Sequence, residues 1–138
     1  MEDIYKCNIT DIFSLQGAKH IIVDYGNSKI KVYGEHFQFQ ESMTLQGYPW
    51  NACVLQDNNM AVTVPNIKTI LVIGISDKMH KIREIRTRLW CWGIAVVKDQ
   101  FVITTQSDDS SILILDMTGK EIRTVRPITY LGDKLLNP

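Results

Sequence analysis

The chain is poor in cysteine. Its three, Cys7, Cys53 and Cys91, form no CxxC pair. That excludes a RING-type zinc site, which needs several Cys or His ligands at close spacing, and an odd count leaves no complete disulfide framework. The expectation is reduced, buried thiols in a cytoplasmic protein. No stretch approaches the roughly 20 apolar residues of a membrane helix, so no membrane partner is expected. The first residues, MEDIYKCNITD, carry two early acids and no apolar core, which does not read as a secretory signal. Asn8-Ile9-Thr10 fits a glycosylation pattern, and without a signal it is read as chance. Charge of one sign is lacking as well: 15 basic residues face 15 acidic ones. Whole-chain binding to nucleic acid or to a membrane surface therefore has no electrostatic basis. His20, His36 and His80 are scattered, with no HExxH, no GxSxG and no glycine-rich phosphate loop. No catalytic residue, metal site or cofactor is assigned, and the chain is not expected to be an enzyme. Sustained helical periodicity is also missing.

What is present is a repeat. Leu15-Gln16, Leu55-Gln56 and Val97-Lys98 superpose along the sequence. In that frame Ile21-Ile22-Val23 falls on Ala61-Val62-Thr63 and on Val102-Ile103-Thr104. Ile30-Lys31-Val32-Tyr33 falls on Ile70-Leu71-Val72-Ile73 and on Ile112-Leu113-Ile114-Leu115, and Trp50 falls on Trp92. A period of about 40 residues lies in the range of β-propeller blades. The fold class expected is all-β: four-stranded antiparallel meanders, about three of them, over 9–47, 48–90 and 91–128, with 129–138 starting a further blade. The whole of 1–138 is then one partial propeller.

The third unit is the clearest, with strands at Trp92–Val97, Phe101–Thr105, Ile112–Leu115 and Glu121–Val125. Its Met117-Thr118-Gly119-Lys120 hairpin places Gly where positive φ is wanted. In the first unit, Tyr25-Gly26-Asn27-Ser28 is a turn in which Gly26 and Asn27 can accept positive φ, and the alternation in His36–Gln40 suits a fourth strand. In the second, Pro65-Asn66 should stop a strand. Thr69–Ile73 has the continuous apolarity of a strand covered on both faces.

Gly93-Ile94-Ala95-Val96, the run Val23–Tyr33 with its Asp24, Asn27 and Lys29, and the hairpin Ile114–Lys120 together resemble NHL repeats. The resemblance is to the C-terminal propeller of tripartite-motif (TRIM) proteins, and it covers nearly the whole chain. The second unit departs from the pattern, with Pro65-Asn66-Ile67-Lys68 in place of an Asp-x-x-Asn turn. The resemblance implies a propeller of about six blades, hence about half a ring here. It also implies a non-catalytic interaction module that presents a protein target, or an RNA, as the substrate-recognition part of a ubiquitin ligase whose ligase centre lies elsewhere. The alternative is an enzyme of the six-bladed hydrolase or lactonase type with a channel metal. Acidic and amide side chains converging on the central axis would favour it.

The candidate partner-binding residues are Lys78, Lys81, Arg83, Arg86 and Arg88, opposed in the stretch 78–88 by Glu84 alone. Alternation puts Lys81 and Arg83 on one face, with Ile82 and Glu84 on the other. Such a strand could meet RNA phosphates or an acidic protein, although edge strands commonly carry Lys and Arg simply to block mispairing. Single-stranded RNA would also require stacking aromatics at matching positions. Trp50, Trp90 and Trp92 are read first as packing between blades and second as a ligand platform. Asp24, Asp57 and Asp99 are read as turn formers, and Asp108-Asp109-Ser110-Ser111 as a solvated loop. A protein partner is the leading expectation. Three blades would also leave two outer faces open, bearing residues such as Ile22, Val32, Val102 and Ile114 or their alternates along each strand, so self-association is a further expectation.

Overall fold

In a computed structural model, residues 2–106, 110–126, 129–131 and 134–136 are described. Asp108, Asp109 and parts of 127–138 lie outside them. The strands follow the period-2 runs. The first sheet comprises β1 (Ile9–Leu15), β2 (Lys19–Asp24), β3 (Lys29–Tyr33) and β4 (Phe39–Thr44). The second comprises β5 (Ala52–Val54), β6 (Asn59–Val64), β7 (Thr69–Gly74) and β8 (His80–Arg86). The third comprises β9 (Trp90–Val97), β10 (Gln100–Gln106), β11 (Ser111–Asp116) and β12 (Glu121–Val125). Each is a four-stranded sheet in chain order, and every pairing is antiparallel. A short pair, β13 (Thr129–Leu131) and β14 (Lys134–Leu136), follows. No helix among the described residues is long and apolar enough to cross a membrane.

Alternation sends successive side chains to opposite faces, and the blades pack through those faces. Ile21, Val23, Ile30 and Val32 of the first blade meet Met60, Val62, Leu71 and Ile73 of the second. The other face of the second, with Ala61, Ile70 and Val72, meets Phe101, Ile103, Leu113 and Leu115 of the third. β7 is therefore buried along its whole length, as its continuous apolarity requires.

The outer faces differ from each other. At the first blade, Lys31 stands at the repeat position of Leu71 and Leu113. At the third, Val102, Ile112 and Ile114 are only half-buried, although their counterparts Ile21, Ile30 and Val32 are fully buried. Val32 thus belongs to a covered interface and not to an outer face, whereas Ile22, Val102 and Ile114 lie on outer faces.

Three local expectations need correction. β4 begins at Phe39 because Gly34–Gln38 forms a tight turn: the Gly34 amide donates to the Gln38 carbonyl at 2.8 Å and Phe37 takes φ 59°. In the 25–28 turn the left-handed residue is Ser28, at φ 54°. Among the cysteines only Cys91 is buried; Cys53 is half-buried and Cys7 exposed, and all three are free thiols.

Pro65 does end its strand, opening a 3-10 turn over Pro65–Ile67 that Lys68 closes at φ 49°. Gly119 has φ 97°, and a Cβ there would lie 2.5 Å from Ile85 Cγ2 of the second blade. Gly119→Val is therefore expected to cost about 1–2 kcal/mol from the backbone alone, with the clash in addition. Thermal unfolding would read this as a lowered midpoint; an unchanged midpoint would contradict the docking of this hairpin on β8.

Candidate binding cleft at the loop end

In an antiparallel meander of four strands, the turn between the second and third strands and the link to the next blade lie at one end. The other two turns lie at the opposite end. The first end here gathers Tyr25, the link residues Tyr48 and Trp50, the Pro65–Ile67 turn, and Trp90 and Trp92 at the start of β9. Hydrogen bonds to backbone groups fix this ridge. The Trp50 amide donates to the Thr63 carbonyl at 2.9 Å, and Thr63 Oγ1 donates to the Trp92 carbonyl at 2.5 Å. The Tyr48 amide donates to Asn66 Oδ1 at 2.7 Å.

The rings interlock. Tyr25 lies 5.3 Å from Tyr48 and 5.6 Å from Trp50, centroid to centroid, and Trp50 meets Trp92 edge-on at 5.1 Å. Together Tyr25, Tyr48, Pro65, Asn66, Trp90 and Trp92 line a mostly apolar cleft of about 310 Å³, at the small end of ligand-sized sites. Tyr48, Trp50 and Trp90 remain exposed. The Lys68 ammonium sits 5.1 Å from the centroid of the Trp90 ring, in cation–π range. The Trp92 indole N–H is buried and has no acceptor among the described residues. The Trp50/Trp92 repeat was visible in sequence; the participation of Tyr25 and Tyr48 was not.

The basic stretch is divided. Between β7 and β8 the register shifts, with Val72 opposite Arg83 but Ile73 opposite Lys81. The bulge leaves Ile82 unpaired and moves the strand out of simple alternation. Lys81 and Glu84 consequently share the groove toward the first blade, while Ile82 and Arg83 share the one toward the third. The bulge thus parts Lys81 from Arg83, and Ile82 from Glu84, pairs that strict alternation puts on shared faces. Lys81 pairs with Glu84 at 2.9 Å, Arg83 donates to the Met117 carbonyl, and Arg88 pairs with Glu121 at 3.1 Å. Arg83 and Arg88 thus tie the second blade to the third. Lys78 and Lys81 lie at the far end from the cleft, whereas Arg86, exposed and opposite Thr69, lies on its side. Arg86→Glu is expected to change stability by no more than about 0.5 kcal/mol. Arg83→Glu should cost about 1–3 kcal/mol by orphaning a carbonyl. Chemical denaturation of both variants checks the contrast.

Asp11 on β1 and Asn51, one residue before β5, occupy equivalent repeat positions and bond to each other. Asn51 Nδ2 and the Ala52 amide both donate to Asp11 Oδ2 at 2.9 Å, and the Ile94 amide donates to Asn51 Oδ1 at 3.0 Å. These groups stitch each blade to the next.

A second polar cluster, Asp3, Cys7 and Asp24, brings three ligand-type atoms within 4.8 Å of one another. Ammonium groups fill it. Lys31 Nζ lies 2.6 Å from Asp3, 2.8 Å from Asp24 and 3.2 Å from Cys7 Sγ, and Lys29 lies 2.9 Å from Asp3. Burial alone would raise the Asp24 carboxyl. Bonds from Lys31, the Asn8 amide, Asn27 and Cys7 outweigh it and hold Asp24 far below the usual carboxylate range. Burial likewise disfavours charged Lys31, yet Asp24, Asp3 and Cys7 hold its amine well above the usual lysine range. Lys31→Ala, which strands buried Asp24, should cost about 3–5 kcal/mol in chemical denaturation. A depressed carboxyl contributes stability that is complete above about pH 4 and fades as pH falls below it. Asp24→Asn should accordingly flatten the acid limb of a stability–pH curve.

No family model matches the chain, and no curated protein matches it. Solved structures do. A Bacteroides caccae protein of unknown function superposes with a TM-score of 0.72 at 11% identity, over 84% of this chain and 48% of that one. The Neurospora crassa Pan2 WD40 domain gives 0.72 at 10% identity, over 88% and 39%. Virginiamycin B lyase from Staphylococcus aureus gives 0.71 at 14% identity, over 93% and 43%. This is part of a β-propeller. The chain spans less than half the length of each of these three structures, and at such identities the likeness concerns the fold alone. WD40 and lyase propellers both appear among the matches, so the fold favours neither a binding nor an enzymatic role.

Proposed function

We propose that the chain is a non-catalytic interaction module that seats a protein partner in the aromatic cleft at the loop end of its blades. The observation that carries this reading is the cleft itself: exposed Tyr48 and Trp90 over a well-packed aromatic floor, with Lys68 and Arg86 on its side. Trp, Tyr and Arg are the residue types on which binding energy concentrates. The resemblance to NHL repeats extends the proposal to the substrate-recognition part of a tripartite-motif ubiquitin ligase. It would work in the cytoplasm, with target modification carried out by residues outside 1–138. The enzyme reading called for a channel site of acids and amides, and Asp11 and Asn51 instead serve as blade-to-blade bonds.

A displayed library of random peptides, panned on the protein and on Trp90→Ala, tests the proposal. Enriched peptides should lose about thirtyfold in affinity on Trp90→Ala, as a hot-spot truncation does. Failure to enrich any peptide that depends on Trp90 would overturn it. Tighter binding of single-stranded RNA, with steep loss in salt and on Arg86→Glu, would make RNA the partner instead.

A further inference from the structure

Resting on that reading, we propose that the cleft binds a proline-rich segment in the polyproline II conformation, with an acidic residue flanking it. Three features of the cleft converge on this ligand. Its lining is largely aromatic: Tyr25, Tyr48, Trp90 and Trp92, with Pro65 and Asn66. Aromatic-lined grooves are the general receptors for polyproline II segments, which arrive preformed and lose little entropy on docking. The volume of about 310 Å³ holds a short apolar segment and not a globular surface.

The second feature is the donors that the lining residues carry: the Tyr25 and Tyr48 hydroxyls and the Trp90 indole N–H. A polyproline II segment has no internal hydrogen bonds, so all its carbonyls are free to accept. A helical ligand would present the same apolar side chains with its carbonyls already used, apart from the last turn.

Charge is the third. Lys68 lies over Trp90, and Arg86 is exposed on the neighbouring strand end, paired in register with Thr69 next to Lys68. Arg88, close by, is already engaged with Glu121. The positive charge beside the Trp90 wall complements an acidic residue beside the prolines and disfavours a basic one.

The test uses three synthetic decapeptides: two glutamates followed by eight prolines, two lysines followed by eight prolines, and two glutamates followed by eight alanines. Binding is followed by tryptophan fluorescence and by the indole N–H signals in a ¹H–¹⁵N spectrum. The glutamate–proline peptide should saturate with a Kd below about 1 mM and shift the Trp90 indole N–H signal. The lysine–proline peptide should bind at least about threefold more weakly at low salt, a difference that fades as salt screens it. Lys68→Gln should narrow the same difference. Trp90→Ala, at an exposed position whose retained fold is checked by circular dichroism, should weaken binding at least about tenfold. Three results would each overturn the inference: no saturation by the proline peptides, equal binding of the alanine peptide, or full retention of binding by Trp90→Ala. Peptide panning separates this failure from that of the broader reading. Trp90-dependent peptides that lack proline would overturn only the polyproline ligand, and the absence of any Trp90-dependent peptide would overturn both.

Discussion

Face-to-face apolar packing of strongly patterned sheets is the constraint on which the rest of the structure depends. A single four-stranded meander this small cannot bury enough surface to stand alone; each gains its core by lying against a neighbour. The middle blade shows the consequence. β7 has no polar face because both of its faces are interfaces. The polar bonds that cross between blades, Asp11 to Asn51 and Ala52, Asn51 to Ile94, and Arg83 to Met117, sit along and around those apolar interfaces. They set how one blade is rotated against the next, because hydrogen bonds are directional where hydrophobic contact is not.

The two outer faces answer the same constraint differently. On the first blade, Lys31 stands where the other repeats carry Leu71 and Leu113, Lys29 and Asp24 lie beside it, and the N-terminal Asp3 and Cys7 lie against them. A buried charge cluster of this kind is tolerable only because nearly every charge has an opposite partner at hydrogen-bonding distance. It makes that face unlike the faces that pack elsewhere in the stack. The third blade keeps Val102, Ile112 and Ile114 at positions that are interfacial in its neighbours. The two ends of the array therefore differ in chemistry although they derive from one repeat.

The same repeat explains where the cleft forms. Links between blades and turns between second and third strands must fall at one end of the stack, whatever their sequence. Large aromatics placed in those segments have no sheet to pack on and pack on each other. That is how Tyr25, Tyr48, Trp50 and Trp92, spread over the three repeats, become one interlocked group.

Much of the architecture was legible in the sequence because its determinants are local. Strict alternation in Lys29–Tyr33, unbroken apolarity in Thr69–Ile73, the stop at Pro65 and the positive-φ glycine at 119 each act within a few residues. The repeat then multiplies them into a stack. The site was much less legible. Lys81 and Arg83 were expected on one face, and a single unpaired residue, Ile82, separates them, since a one-residue shift changes which face a side chain occupies. The exposed Cys7 and the ammonium-filled cluster around Asp24 depend on where the N-terminal segment lies against the first blade. Tyr25 and Tyr48 carry no sign in sequence that they share a cleft with Trp90. Period and turn chemistry belong to the chain itself; the meeting of distant loops and the pairing of distant charges arise only when the blades stack, and there the tertiary structure alone decides.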